Sequence, residues 1–127
     1  MKGKLLIVDD QPDIRKLIRM TLEFEGYELL EARDGAEAVR LARRERPAIM
    51  LLDVMMPGEL DGFQVCEMVK ADQELASTLI VMLTARGQQS DLQRGRKAGA
   101  EAYLTKPFSP LELIDTIDRL VAAQVKV

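Results

Sequence analysis

Five polar side chains stand where apolar runs stop. Asp9 and Asp10 follow Leu5-Leu6-Ile7-Val8, Asp53 follows Ile49-Met50-Leu51-Leu52, Thr84 follows Leu79 to Leu83, and Lys106 comes shortly after Ala102 to Leu104. Each has an ordinary reading alone: an acidic pair caps the next helix, a threonine suits a strand end, a lysine is solvated. Brought to one place they mean something else, because three carboxylates packed together repel and need a cation. Oxygen donors with no imidazole or thiolate beside them favour a hard ion. Magnesium fits best, since it is commonly held by one or two carboxylates plus phosphate oxygens and retains waters. A carboxylate nucleophile facing a metal, with an ammonium and a hydroxyl on the other side, is the equipment of phosphoryl transfer: an in-line acceptor and positive charge around the equatorial oxygens. Asp53 is the natural acceptor.

The elements that must bring these residues together are legible in the apolar pattern. The 127 residues, 47% hydrophobic and 31% charged, suit one compact domain spanning 1–127. Strands are predicted at Leu5 to Val8, Tyr27 to Ala32, Ile49 to Leu52, Leu79 to Leu83 and Ala102 to Leu104, the continuous runs among them suiting parallel strands buried on both faces. Between them Ile14, Leu17, Ile18 and Leu22, then Ala38, Leu41 and Ala42, recur at helical spacing and predict stripes facing the sheet. Capping chemistry marks helix starts independently, in Asp34 with Glu37, Asp61 with Gln64, and Ser109 with Glu112, the last followed by Pro110 in the first turn. Gly26 and Gly99 sit where helices end. The alternation predicts an α/β fold, a three-layer (βα)5 doubly wound parallel sheet of flavodoxin-like type with strand order 2-1-3-4-5. Its ligand crevice opens beyond the carboxyl ends of strands one and three, where all five polar residues share one rim.

Other classes are excluded by what is missing. No apolar run is long enough to span a bilayer or to serve as a secretion signal, so a soluble cytoplasmic protein without membrane contact is expected. Cys66 has no second cysteine and no histidine to work with, and reads as a small buried hydrophobe. Net charge is −3, and the Arg43-Arg44-Glu45-Arg46 cluster reads as helix-end decoration, so no direct nucleic-acid contact is expected.

Over essentially its whole length the chain resembles a receiver domain of the bacterial two-component response regulators, similar to the chemotaxis regulators. The resemblance rests on Leu6-Ile7-Val8-Asp9-Asp10, Leu51-Leu52-Asp53-Val54-Met55-Met56-Pro57, Asp61-Gly62-Phe63, Leu83-Thr84-Ala85, Ala98-Gly99-Ala100 and Tyr103-Leu104-Thr105-Lys106-Pro107-Phe108. It implies that Asp53 takes phosphate from a phosphohistidine on a sensor histidine kinase or histidine phosphotransfer protein. Magnesium, for which Mn2+ can substitute, would be held by the Asp10 and Asp53 side chains and the Met55 backbone carbonyl, with Asp9 assisting through a metal-bound water. Lys106 would pair with the phosphate, next to a cis bond to Pro107. Thr84 would turn its hydroxyl toward a phosphate oxygen, vacating space for Tyr103 to rotate inward from solvent. The output face, helix four with strand five and helix five, would then meet a downstream protein target. Such a chain takes part in its own phosphorylation and slow dephosphorylation without being a turnover enzyme. Helix one, with Ile14, Arg15 and Ile18, would be the kinase-docking side.

Some details are particular to this sequence. Pro57-Gly58-Glu59-Leu60-Asp61-Gly62 is one residue longer than the family interval, and because Met55 precedes the extra residue the metal ligands are expected to stay in place. Gly95 within helix four costs about 1 kcal/mol relative to alanine, which predicts a helix easy to shift. Met55 and Arg86 flank the approach of hydrolytic water by resemblance; apolar Met55 would fail to orient it and long Arg86 would obstruct it. Two other classes are weighed. A metal-dependent phosphatase would want a second Asp shortly after the nucleophile, where Val54-Met55 stand, and a phosphorylation-independent scaffold would not retain all five rim residues.

Overall fold

The computed structural model describes residues 2–85 and 89–124. Its elements run β1 (Lys4–Val8), α1 (Pro12–Leu22), β2 (Glu28–Ala32), α2 (Gly35–Glu45), β3 (Ile49–Asp53), α3 (Gly62–Ala71), β4 (Leu79–Ala85), α4 (Gln89–Ala98), β5 (Ala102–Lys106) and α5 (Pro110–Gln124). The strands form one parallel sheet in the order β2-β1-β3-β4-β5, as the sequence predicts.

Alternation along each strand divides the core into two layers. Leu6, Val8, Met50, Leu52, Ile80 and Met82 point to one face and pack with Ala38, Ala42, Phe63, Cys66 and Val69 of α2 and α3. Leu5, Ile7, Leu51, Val81 and Leu83 point to the other and pack with Ile18 and Leu22 of α1 and Leu113 and Ile117 of α5. Cys66 is buried as expected, and burial pushes its thiol up to about 12.

Three strands run further at their carboxyl ends than their apolar residues suggest, and β1 begins one residue early, at Lys4. β3 reaches Asp53, β4 reaches Ala85 and β5 reaches Lys106, because backbone pairing continues through Asp53 opposite Leu83, Thr84 opposite Thr105 and Ala85 opposite Lys106. The ladder needs only N–H and C=O groups, so the polar residues stay in register with their neighbours. β2 instead starts one residue late, at Glu28.

The α1 stripe is narrower than its spacing predicts. Ile18 and Leu22 are buried with Ile14 packed along the same line, but Leu17 is 40% exposed. Successive residues turn by about 100°, so Ile18 on the sheet side puts Leu17 on the flank. The α2 stripe holds, with Ala38 and Ala42 fully buried and Leu41 packed against them.

Two of the three expected caps close reciprocally, Asp61 with Gln64 (2.9 Å each way) and Ser109 with Glu112 (3.1 Å each way). At α2 the Asp34 side chain accepts from the Glu37 N–H at 2.8 Å, but the Glu37 carboxylate reaches past the cap to the Arg33 N–H. Arg43 and Arg44 lie in the last turn of α2 and Arg46, with φ 48°, closes it, so this basic cluster does decorate a helix end.

Candidate functional site

The carboxyl ends of β1, β3, β4 and β5 bring the five polar residues to one rim. One carboxylate oxygen from each of Asp9, Asp10 and Asp53 lies within 4.8 Å of the others. Asp9, Asp53 and Thr84 are buried, and Asp10 is exposed. The Lys106 ammonium donates to Asp9 Oδ2 at 2.8 Å and stands 3.3 Å from Asp53 Oδ1, bridging the two buried carboxylates. The Met55 N–H donates to Asp53 Oδ1 at 3.3 Å and the Gln11 N–H to Asp9 Oδ1 at 2.9 Å. A crevice of about 290 Å³ lies over this group, lined among others by Asp10, Asp53, Met55 and Lys106. The Lys106-Pro107 bond is cis, as the resemblance implies.

Charge balance explains what the site accepts. Burial, then the neighbouring Asp9 charge, pushes Asp53 up to about 7, against the opposing pull of Lys106. Burial works to lower the Lys106 ammonium, but its hydrogen bond to Asp9 and the Asp53 charge outweigh this and hold its pKa above the ordinary value. One ammonium among three carboxylates leaves an excess of negative charge on an all-oxygen donor set. The residues present therefore fit a hard divalent cation, with Asp10 facing solvent where an ion would enter.

Backbone packing fixes the acceptor strand. A Cβ on Gly62 would lie 2.2 Å from the Asp53 carbonyl oxygen, so only glycine lets the start of α3 cross so near. The Gly62 N–H donates to the Val54 carbonyl at 3.0 Å. In the lengthened loop Gly58 takes φ 97°, while Met56 and Leu60 pack against the core on either side of it. The loop is thus pinned at two points between Asp53 and α3.

Tyr103 is half-buried against α4, and its hydroxyl is buried with no hydrogen-bond partner among the described residues. Burial raises its pKa; the Arg96 guanidinium opposes that rise without making a hydrogen bond to it. A Cβ on Gly95 would lie 2.6 Å from Tyr103 Cε1. The helix glycine that the sequence marks as a cost is therefore what admits the ring. Arg94, the preceding residue, lies 4.1 Å over the Phe63 ring and 4.0 Å from Asp61, tying α4 to the start of α3.

Of the residues expected on a docking face of α1, Ile18 is wholly buried and Ile14 packs on the core; Leu17 and Met20 are the exposed apolar residues of that helix. Arg86 lies outside the described residues.

Comparison with known proteins identifies the family. The family described as Response regulator receiver domain matches residues 5–118. The transcriptional regulatory protein SrrA of Staphylococcus aureus is 41% identical over 121 residues, 95% of this chain and 48% of that protein. The structure of the chemotaxis response regulator CheY4 of Vibrio cholerae superposes with a TM-score of 0.87 at 36% identity, covering 94% of this chain and 98% of that one. The receiver domain of the Francisella response regulator 1452 gives a TM-score of 0.85 at 32% identity, covering 96% and 98%. The chain spans about half the length of the curated relatives it matches. Those relatives are transcriptional regulators, so the expectation of no nucleic-acid contact draws no support from them. Among the described residues no helix is long and apolar enough to cross a membrane.

The electrostatics of Asp53 predict a specific pH dependence. Its folded-state pKa, about 7, exceeds its ordinary 3.8, so the folded protein holds this proton more tightly than the unfolded chain does. The stability this group contributes is complete below about pH 4 and is lost as pH rises to about 7. In EDTA, the melting temperature of an Asp53→Asn variant should therefore gain on wild type between those pH values and hold a constant lead above them. A lead that shrinks with rising pH would contradict the burial argument.

Proposed function

Because this chain belongs to the family of response regulator receiver domains, we infer that it accepts a phosphoryl group on Asp53 from the phosphohistidine of a sensor histidine kinase or a histidine phosphotransfer protein. The observation that carries this reading is the convergence of Asp9, Asp10 and Asp53 within 4.8 Å, with Lys106 bridging the buried pair. An Asp53 carboxylate oxygen attacks phosphorus in line with the leaving imidazole. The P–N bond breaks, and its electron pair stays on the histidine nitrogen. Asp10, Asp53 and the Met55 backbone carbonyl would hold magnesium, with Asp9 assisting through a water, and the ion supplies positive charge to the phosphoryl oxygens; Mn2+ shares the oxygen preference and is expected to substitute. Lys106 contributes the second positive charge on the opposite side.

The signal follows from redistribution of that charge. A phosphoryl group adds roughly −1.5 to −2 charge and three strong acceptors, which compete with Asp9 for the Lys106 ammonium and attract the Thr84 hydroxyl. If the two states differ by a few kcal/mol, contacts of about that size convert a minor population into the major one. Tyr103, opposite Met82 in the β4–β5 ladder and two residues before Thr105, the partner of Thr84, would report the change to the surface of α4, β5 and α5, where a downstream protein binds. This is a cytoplasmic signalling role, and turnover of a free substrate is no part of it.

Acetyl phosphate with Mg2+ should phosphorylate the wild-type chain to near completion, while omission of Mg2+ or the Asp53→Asn change should abolish it, as read by intact mass. Steady hydrolysis of acetyl phosphate without a stable adduct would instead favour a phosphatase, and no reaction would favour a scaffold. Met55 is 74% exposed beside the crevice, where an apolar side chain orients no water. Met55→Asn should therefore shorten the lifetime of the phosphorylated form several-fold; an unchanged decay rate would remove Met55 from the account.

A further inference from the structure

Asp9 and Asp10 are adjacent in sequence but held in opposite ways. Every polar atom of Asp9 is engaged: its N–H donates to the Ala32 carbonyl at 3.1 Å, its two carboxylate oxygens accept from the Gln11 N–H and from Lys106, and its carbonyl accepts from Arg15 Nη1 at 2.7 Å. Asp10 is exposed, and its carboxylate has no partner among the described residues. The direction of the Asp10 Cα–Cβ bond, from which its carboxylate reaches the site, therefore depends on the two peptide planes that flank it. The Asp9 carboxylate holds the one after it through the Gln11 N–H. Arg15 holds the one before it, because a peptide is planar and fixing its oxygen fixes the line to the next Cα.

Arg15 is built for this task. It sits in α1 directly beneath the β1 end, and its side chain is only 17% exposed. Its Nε pairs with Glu31 Oε1 at 3.0 Å, and Glu31, on β2 opposite Ile7, is also approached by Arg19 Nε at 3.4 Å. Glu31 thus offsets the guanidinium charge that would otherwise repel a cation nearby, while leaving Nη1 free to reach the Asp9 carbonyl. A planar fork with several donors can satisfy both partners at once; an ammonium at the end of a lysine cannot do so from the same position.

We propose that Arg15, locked by Glu31, is a positioning residue for the metal site, setting the Asp9–Asp10 peptide so that the otherwise unsupported Asp10 carboxylate faces Asp53. This rests on the magnesium reading of the acidic cluster. Residues that orient ligands from behind typically contribute about 10- to 100-fold in metal affinity, and action through the backbone belongs at the lower end. Arg15→Met should therefore weaken Mn2+ binding roughly tenfold, read as free Mn2+ by electron paramagnetic resonance, with Arg15→Lys weakened by a smaller factor. Far-ultraviolet circular dichroism in EDTA reports folding separately. If Arg15→Met does not fold, Arg15→Lys carries the test alone.

Arg15→Lys is expected to lose at least about threefold, so a folded Arg15→Met or Arg15→Lys chain that binds Mn2+ within about twofold of wild type overturns the proposal. That result with impaired transfer from a phosphohistidine donor alone would make Arg15 a docking residue. A wild-type chain that binds no Mn2+ would overturn the metal reading itself, and this inference with it.

Discussion

Three carboxylates whose oxygens approach within 4.8 Å, two of them on buried residues, cannot all be ionised without compensating positive charge. Lys106 supplies part of it by spanning Asp9 and Asp53, and its pKa is raised in return. The shortfall is what makes the rim receptive to a cation, and Asp53, shifted to about 7, carries the strain of the uncompensated state. Much of the surrounding architecture serves this imbalance. The cluster joins residues nearly a hundred positions apart, and a parallel sheet whose strands, including the edge strand β5, all end on the same side holds them so near.

The doubly wound order makes that possible by placing β1 beside β3 while their outgoing helices leave to opposite faces. The crevice is the space the helices vacate. Its floor is rigid because β1, β3 and β4 are buried on both sides, and its rim is held by local devices: Gly62 lets α3 start against the acceptor strand, the Asp61–Gln64 box fixes that start, and Arg15 ties α1 to the acidic pair. Farther along the sheet, Gly95 and Tyr103 interlock α4 with β5.

Fold class, strand order and all five rim residues were legible because they are written in local pattern: apolar runs of strand length, helical spacing and cap pairs, with polar residues where the runs stop. Strand ends were not, since Asp53, Thr84 and Lys106 continue the backbone ladder while ending the apolar signal. Leu17 misled because spacing gives a stripe's period and not its centre. Gly95 was visible as a helix defect, but its use requires knowing that Tyr103, on the adjoining strand, fills the space. Arg15 was read through the family as a docking residue, and nothing in its neighbours along the chain reveals the Asp9 carbonyl and Glu31 as its partners. Arg46 is the hardest case, a left-handed helix end without glycine, closed by its N–H bond to the Ala42 carbonyl even though a following proline favours extended backbone.

One atom group, the Asp53 carboxylate, is the proposed site of covalent attachment. Borohydride reduction of the chain after reaction with a phosphodonor and Mg2+ converts an acyl phosphate to the corresponding alcohol, and peptide mapping by mass spectrometry then locates it. Homoserine is expected at position 53, and none when Mg2+ is withheld. Reduction at another carboxylate, or a stable phosphate that borohydride leaves untouched, would contradict it.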